Sequence, residues 1–352
     1  SPMTPTFEDR RHFYSDNLAG THPAVLQAIA DANVGHSLAY GEDPLTAEAI
    51  ARVCQLFGGD GVEAHFVFNG TAANVLCAAA VTAPFQAVLY SETSHIQWDE
   101  CGAIERFVGC RVLALPSVGG KLTPDCLDDI AEGHAEPHQS KPRLLSITQV
   151  TEMGTLYTPE EVKALAAAAH DRGWLLHMDG ARLANAAAFL ELPPRAFTVD
   201  AGVDLLSLGL TKTGAMMAEA VVMFGEEASR SFPYVRKQGL QLASKMRFIS
   251  AQFLAMLTDD LWLQLAGHAN EMAQRLRVSV QDIPGVELVH PTQGNGVFVR
   301  LAPDRMRKLL AEVTFAVWDP QKGEARWMTA WDTTADDVDA FAETVRQIMT
   351  PR

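Results

Sequence analysis

Trp174-Leu175-Leu176-His177-Met178-Asp179-Gly180-Ala181-Arg182, followed further along by Leu205-Leu206-Ser207-Leu208-Gly209-Leu210-Thr211-Lys212-Thr213-Gly214, decides the fold. Each stretch opens on an apolar run too short for a helix and closes on glycine beside a charged side chain. Read as buried strands of a parallel sheet, the two runs deliver Asp179 and Lys212 to the edge where strands end and ligands bind. A lysine there can form a Schiff base with a carbonyl, and a carboxylate can keep a heteroaromatic nitrogen protonated so that its ring accepts electrons. That pairing points to an enzyme.

Similar runs lie outward on both sides. His65–Phe68, Ala87–Tyr90, Arg111–Leu115, Leu144–Thr148 and Ala220–Phe224 join the two above, and most lack in–out alternation, as strands covered on both faces do. Between them Thr158-Pro159-Glu160-Glu161 supplies an N-cap, a proline at the first helical position and a capping-box acid for a helix ending near Gly173. This β-α-β rhythm predicts an α/β fold with a mostly parallel open sheet and helices on both sides. After Phe232 the pattern changes. Gln238–Leu257 and Trp262–Val280 read as long helices, Gly285–His290, Gly296–Leu301 and Arg326–Trp331 as strands, and Thr334–Met349 as a closing helix with Asp336 and Asp337 in its first turn. The expected division is an N-terminal arm over 1–35, lying apart, a large α/β unit over 36–240 and a smaller α+β unit over 241–352.

Composition is that of an ordinary globular chain: 352 residues, 48% hydrophobic and 20% charged. The formal charge of −15 argues against a nucleic-acid footprint, and no run is long and apolar enough for a membrane span. Ser1-Pro2-Met3 reads as a cleavage scar before an initiator methionine, with no secretory segment after it. The five cysteines, Cys54, Cys77, Cys101, Cys110 and Cys126, are scattered and suit free thiols in a reducing compartment, so a cytoplasmic enzyme is expected.

Further motifs gain meaning beside Asp179 and Lys212. Asn69-Gly70-Thr71 between a strand and an alanine-rich helix is ordinary turn-and-cap chemistry, or a phosphate cradle at a helix start. With a lysine and a carboxylate in the same unit, the cradle is favoured and the cofactor expected is pyridoxal phosphate (PLP). His95 after the second run is a polar loop residue or an imidazole lying against the cofactor ring. Arg182 makes a surface pair with Asp179, or a bidentate fork on a substrate carboxylate or the cofactor phenolate. Arg326, charged among aromatics, needs a partner if it points inward and is a candidate for that carboxylate. Tyr40 and Arg247 are candidates for reaching the phosphate, from the same subunit or a neighbour.

Together these stretches resemble the threonine aldolase family of fold-type-I PLP enzymes, whose fold is aspartate-aminotransferase-like with a seven-stranded sheet, and specifically its low-specificity L-threonine aldolase branch. Ser15-Asp16-Asn17, Tyr40–Pro44, Asn69–Asn74, His95, His177–Asn185, Leu206–Gly214 and Arg326–Thr333 carry the resemblance in order along nearly the whole chain. It implies that Lys212 holds PLP, Asp179 pairs with the ring nitrogen, His95 stacks on the ring and the Gly70 and Thr71 backbone binds phosphate. It gives the substrate carboxylate to Ser15, Arg182 and Arg326. It also implies a homotetramer with sites completed across a dimer interface, where Tyr40 and Arg247 act on the neighbour's cofactor. Many members carry a histidine after the fourth strand where this chain has Glu152, which leaves the β-hydroxyl base open among His95, Glu152 and water. The implied reaction is retro-aldol cleavage of L-threonine, L-allo-threonine and related amino acids to glycine and an aldehyde. Other readings are a phenylserine-preferring aldolase, a β-eliminating PLP lyase, a PLP-binding protein without turnover, and a nucleotide-binding domain. The last is disfavoured because the chain lacks G-x-G-x-x-G and Walker-type loops.

Overall fold

The computed structural model describes residues 11–128, 130 and 137–350, so Ser1-Pro2-Met3 lies outside it. Each of the seven apolar runs is a strand: β1 Glu63–Val67, β2 Gln86–Ser91, β3 Arg111–Leu115, β4 Lys141–Thr148, β5 Leu175–Gly180, β6 Leu205–Gly209 and β7 Glu219–Met223. They form one sheet in the order β1-β7-β6-β5-β4-β2-β3, parallel except for β7, which runs antiparallel to both its neighbours.

Alternate side chains along each strand enter two cores, one on each face. On β7, Ala220 and Val222 enter the larger core, with Phe66, Ile147, Met178 and Leu208 from neighbouring strands. Val221 and Met223 enter the other, which the Gly70–Val81 helix covers with Ala73, Leu76 and Cys77. A fully buried strand needs apolar residues on both faces, so the exceptions stand out. Ser146, His177, Ser207 and Asp179 alternate onto the face under the Gly70–Val81 helix, and all are buried polar residues. The predicted capping box holds: Thr158 Oγ1 accepts from Glu161 N, Glu161 accepts from Thr158 N, and the helix runs Pro159–Asp171.

A second sheet, in the order β10-β11-β9-β8, is wholly antiparallel: β8 Glu287–Leu288, β9 Gly296–Arg300, β10 Ala316–Asp319 and β11 Glu324–Met328. Ala325 and Trp327 of β11 face its core with Phe341 and Leu276, which turns Arg326 and Met328 the other way. The closing helix runs Ala335–Met349, with Asp336 and Asp337 in its first turn as expected, and Thr334 caps it in a capping box with Asp337.

Several expectations are corrected. Of the helix expected over 238–257 only Arg247–Leu257 forms; Gln238 instead ends a separate helix, Phe232–Gln238, and Leu240 beyond it takes a φ of 65° that no right-handed helix accommodates. The strand expected over 285–290 pairs only at Glu287–Leu288, and β11 ends at Met328 rather than Trp331. Strand β10 and the Pro303–Glu312 helix were not anticipated. The arm does not lie apart: Phe13 bridges Phe315 and enters the smaller core, and Val25 enters the larger one, because both are apolar side chains with a core to fill. The Arg247–Leu257 helix packs into the larger core, and the two cores change over within Leu261–Val280, between Ala266 and Ala273. All five cysteines are free. Among the described residues no helix is long and apolar enough to cross a membrane.

Candidate active site

Strand register brings the first functional groups together. Asp179 on β5 sits between Thr148 of β4 and Ser207 of β6. Lys212 follows β6 on a tight 3-10 turn, Thr211–Thr213. The Gly70–Val81 helix begins after β1 on the same edge, with Asn69 Oδ1 accepting from Ala72 N. That cap leaves the Gly70 and Thr71 N–H groups at the helix start, where the dipole favours an anion.

A buried file of hydrogen bonds sets the orientation of Asp179. Asn74, on the sheet-facing side of that helix, donates from Nδ2 to Asp179 Oδ2 at 2.9 Å and to Glu100 Oε1 at 2.8 Å. Carboxylates only accept, so the Asn74 oxygen must face away, and there Ser207 Oγ donates to it at 2.8 Å. Having given its one proton to Asn74, Ser207 accepts from His177 Nε2 at 2.9 Å. Burial drives the His177 pKa down to about 4, so the ring is neutral and its bare Nδ1 accepts from Ser146 Oγ at 2.8 Å. Ala181 N donates to Asp179 Oδ1 at 3.0 Å.

His95 opens a short helix, His95–Trp98, capped by Ser94. Its backbone N donates to Glu152 Oε1 at 2.8 Å, and Thr148 Oγ1 donates to the same oxygen at 2.9 Å. Glu152 Oε2 is shielded from solvent and has no partner among the described residues. Burial, reinforced by the nearby Asp179 charge, pushes the Glu152 pKa up to about 7 against the pull of the His95 N–H. The His95 imidazole meets Glu100 through Nδ1 at 2.8 Å.

Lys212 has its pKa lowered by burial and by the Arg182 charge, against Asp16, Asp179 and Glu219. Glu219 is buried opposite Gly209, where an added Cβ would stand 2.7 Å from its Oε2. Burial lifts the Glu219 carboxyl to about 8, so it is neutral near pH 7.

Arg182 is paired within the chain. Its Nε and Nη2 each lie 2.8 Å from an oxygen of Asp16, and Asn295 Nδ2 donates to Asp16 Oδ2 at 3.0 Å. This fork lies on the arm, since a buried guanidinium needs a full partner and Asp16 supplies one. Arg326 is the cation with capacity to spare. Its Nη2 donates to Tyr14 O at 3.0 Å and its guanidinium lies 4.7 Å from the Trp318 ring centre, while Nε is buried and unpartnered among the described residues. Burial and the Arg182 charge lower its pKa to about 10. Ser15 Oγ accepts from Asn17 N at 3.2 Å, beside Asp16.

Tyr40 and Arg247 stand on a different patch. Tyr40 is exposed at a left-handed φ of 59°, with Lys237 Nζ 4.9 Å from its ring centre, and Arg247 Nη1 donates to Val34 O at 3.4 Å. Sequence reasoning missed Asn74, Glu100 and Glu219 as site residues. The signal for Asn74 was an amide within an otherwise small, apolar helix; for Glu219, a carboxylate opening an apolar strand.

A family profile for beta-eliminating lyases matches residues 12–303. A low-specificity L-threonine aldolase of Pseudomonas aeruginosa is 44% identical over 96% of this chain and 98% of its own length. A second, from a Pseudomonas species, is 42% identical over 97% and 99%. A threonine aldolase structure from Leishmania major superposes with a TM-score of 0.90 at 27% identity, covering 96% of this chain and 99% of that one. An aspartate aminotransferase from Thermus thermophilus superposes at 0.70 with 15% identity, a likeness of fold alone.

Proposed function

This chain belongs to the low-specificity L-threonine aldolases within the beta-eliminating lyase family, and we propose that it cleaves L-threonine, L-allo-threonine and related L-β-hydroxy-α-amino acids to glycine and an aldehyde, with PLP as cofactor. One observation carries the reading: Lys212, Asp179 and the start of the Gly70–Val81 helix converge on one edge of the sheet.

The residues fit PLP. A Cβ built on Gly70 meets nothing within 4 Å, so the helix start has room for a phosphate against the Gly70 and Thr71 N–H groups. Asp179, fixed by Asn74 and Ala181, presents a carboxylate to a ring N–H. Lys212, with its pKa lowered, supplies more neutral amine for covalent attachment than a surface lysine does. When bound, PLP supplies the electron sink for the pair released as the Cα–Cβ bond breaks.

The chain's own groups do the rest. Arg326, with its unpartnered Nε, would take the substrate carboxylate with Ser15, and that grip would orient the Cα bonds for cleavage. Arg182 keeps Nη1 for the cofactor's phenolate or the substrate, its fork held by Asp16. His95 would lie against the ring of the bound cofactor. Glu152 takes the β-hydroxyl proton on Oε2, since a carboxyl titrating near 7 with an unused oxygen suits a general base.

We extend the proposal to assembly and location. Tyr40 and Arg247 reach a neighbour's cofactor in a homotetramer built from dimers. This is supported by the exposed Val34, Leu38, Tyr40 and Leu240 near the Arg247–Leu257 helix. We keep an arm over 1–35, a cofactor unit over 36–240 and a smaller unit over 241–352 as the proposed division, with Arg247–Leu257 and the start of the Leu261–Val280 helix packing back onto the larger core. The enzyme acts in the cytoplasm on small amino acids, not on nucleic acid or membranes.

The test is to supply PLP with L-threonine, L-allo-threonine or L-phenylserine and assay products. Glycine and aldehyde in equal amounts support the proposal. A 2-oxo acid with ammonia would make the enzyme a β-eliminating lyase instead.

A further inference from the structure

Glu100 has no part in the reaction as described, yet it is placed like a working residue. Its side chain is 1% exposed, and its Oε1 is shared by His95 Nδ1 and Asn74 Nδ2, each at 2.8 Å. Its Oε2 is buried with no partner among the described residues. A carboxylate accepts and does not donate, so the proton on His95 must sit on Nδ1, and in the neutral ring Nε2 carries the lone pair. The second Asn74 hydrogen goes to Asp179, so one amide ties the carboxylate that holds His95 to the carboxylate proposed for the ring nitrogen.

We propose that Glu100 is a positioning residue for the aldol cleavage: through Nδ1 it fixes the plane and tautomer of His95, and through Asn74 it holds that ring in register with Asp179. The inference rests on the aldolase reading. A ring lying against the cofactor must keep its plane, and a flip about the Cβ–Cγ bond would exchange Nδ1 for a carbon and lose the Glu100 bond. Four charged groups face His95. Glu100 bonds its ring, Asp179 near the end of β5 and Lys212 in the turn after β6 are close enough to act on it electrostatically, and Glu152 holds its backbone N–H. Glu100 chiefly, with Asp179, raises its pKa against burial and Lys212. Glu100 is itself raised by burial and by Asp179, so Asn74 and His95 are what make two neighbouring carboxyls tolerable there.

The test compares wild-type holoenzyme with E100Q and E100D by nitrogen-resolved NMR of His95, by kcat and KM for L-threonine, and by Tm. In the wild type, His95 should be the Nδ1–H tautomer and titrate above the ordinary histidine value. E100Q should lower that titration and reduce kcat about 10- to 100-fold, the range seen when a metal-bound histidine loses its carboxylate partner, with KM little changed. E100D, which keeps the charge on a shorter arm, should recover part of the kcat. An E100Q enzyme with lowered Tm but a wild-type His95 titration and kcat would make Glu100 merely structural and overturn the proposal. So would an Nε2–H tautomer in the wild type, a measurement that stands even if E100Q does not fold. Failure of the wild type to release glycine would overturn the aldolase reading alone, since the tautomer is read without turnover.

Discussion

Arg182 turns both arms of its guanidinium fork onto Asp16, Nε and Nη2 each 2.8 Å from a carboxylate oxygen, and so ties the N-terminal arm to the end of β5. Burial alone would raise Asp16, but Arg182, with Lys212 and Asn295, brings its pKa down to about 2. A depressed carboxyl contributes stability that is present above its unfolded value of 3.8 and is lost as pH falls through about 2. D16N leaves the Arg182 charge buried without its partner and should cost about 3–5 kcal/mol, read as a drop in Tm. A Tm within a degree or so of wild type would show that the pair contributes nothing.

Arg326 keeps a buried Nε without a partner among the described residues, so it should dominate substrate grip. R326A removes a charge-assisted contact of about 1.5–3 kcal/mol and should raise KM for L-threonine roughly 10- to 150-fold. The same variant should weaken glycine binding, since glycine carries the same carboxylate. An unchanged KM would move the carboxylate elsewhere.

If Glu152 is the base, as proposed, it sets the pH dependence of the reaction. With its carboxyl raised to about 7, the base form is lost as pH falls, so kcat/KM should drop toward tenfold per unit below that point. E152Q should lower kcat by about 10²–10⁴ and abolish that limb. If E152Q keeps both the limb and the rate, His95 or a water takes the proton.

Asn74 serves two buried carboxylates with one amide. N74L strips Asp179 and Glu100 of that donor, leaving them Ala181 N and His95 Nδ1, and should destabilise the protein by about 1–3 kcal/mol for each bond lost. It should also weaken PLP binding, measurable by fluorescence titration. Undiminished affinity would show that Asp179 needs no such support.

The seven strands were legible because each is a short apolar run between turn residues, and Asp179 and Lys212 because each is the charged residue where such a run ends. The break at Leu240 was not legible: a leucine gives no sign of a left-handed φ. Strand β10 was hidden because Ala316–Asp319 is short and mixed, and pairs across a bulge. The site was read as single residues, and its partners were lost. Nothing local tells Arg182 that Asp16 will reach it, or His95 that Glu100 shares an oxygen with Asn74, since these contacts exist only once the arm, a helix and the strand ends meet.

The measurement that tests the account most directly is borohydride reduction of the PLP-loaded protein followed by peptide mapping, with L-threonine turnover assayed on the wild type and on K212A. The account predicts a reduced adduct on Lys212 alone, glycine and acetaldehyde released one-to-one by the wild type, and no turnover by K212A. An adduct on another lysine, or K212A turning over at the wild-type rate, would contradict it.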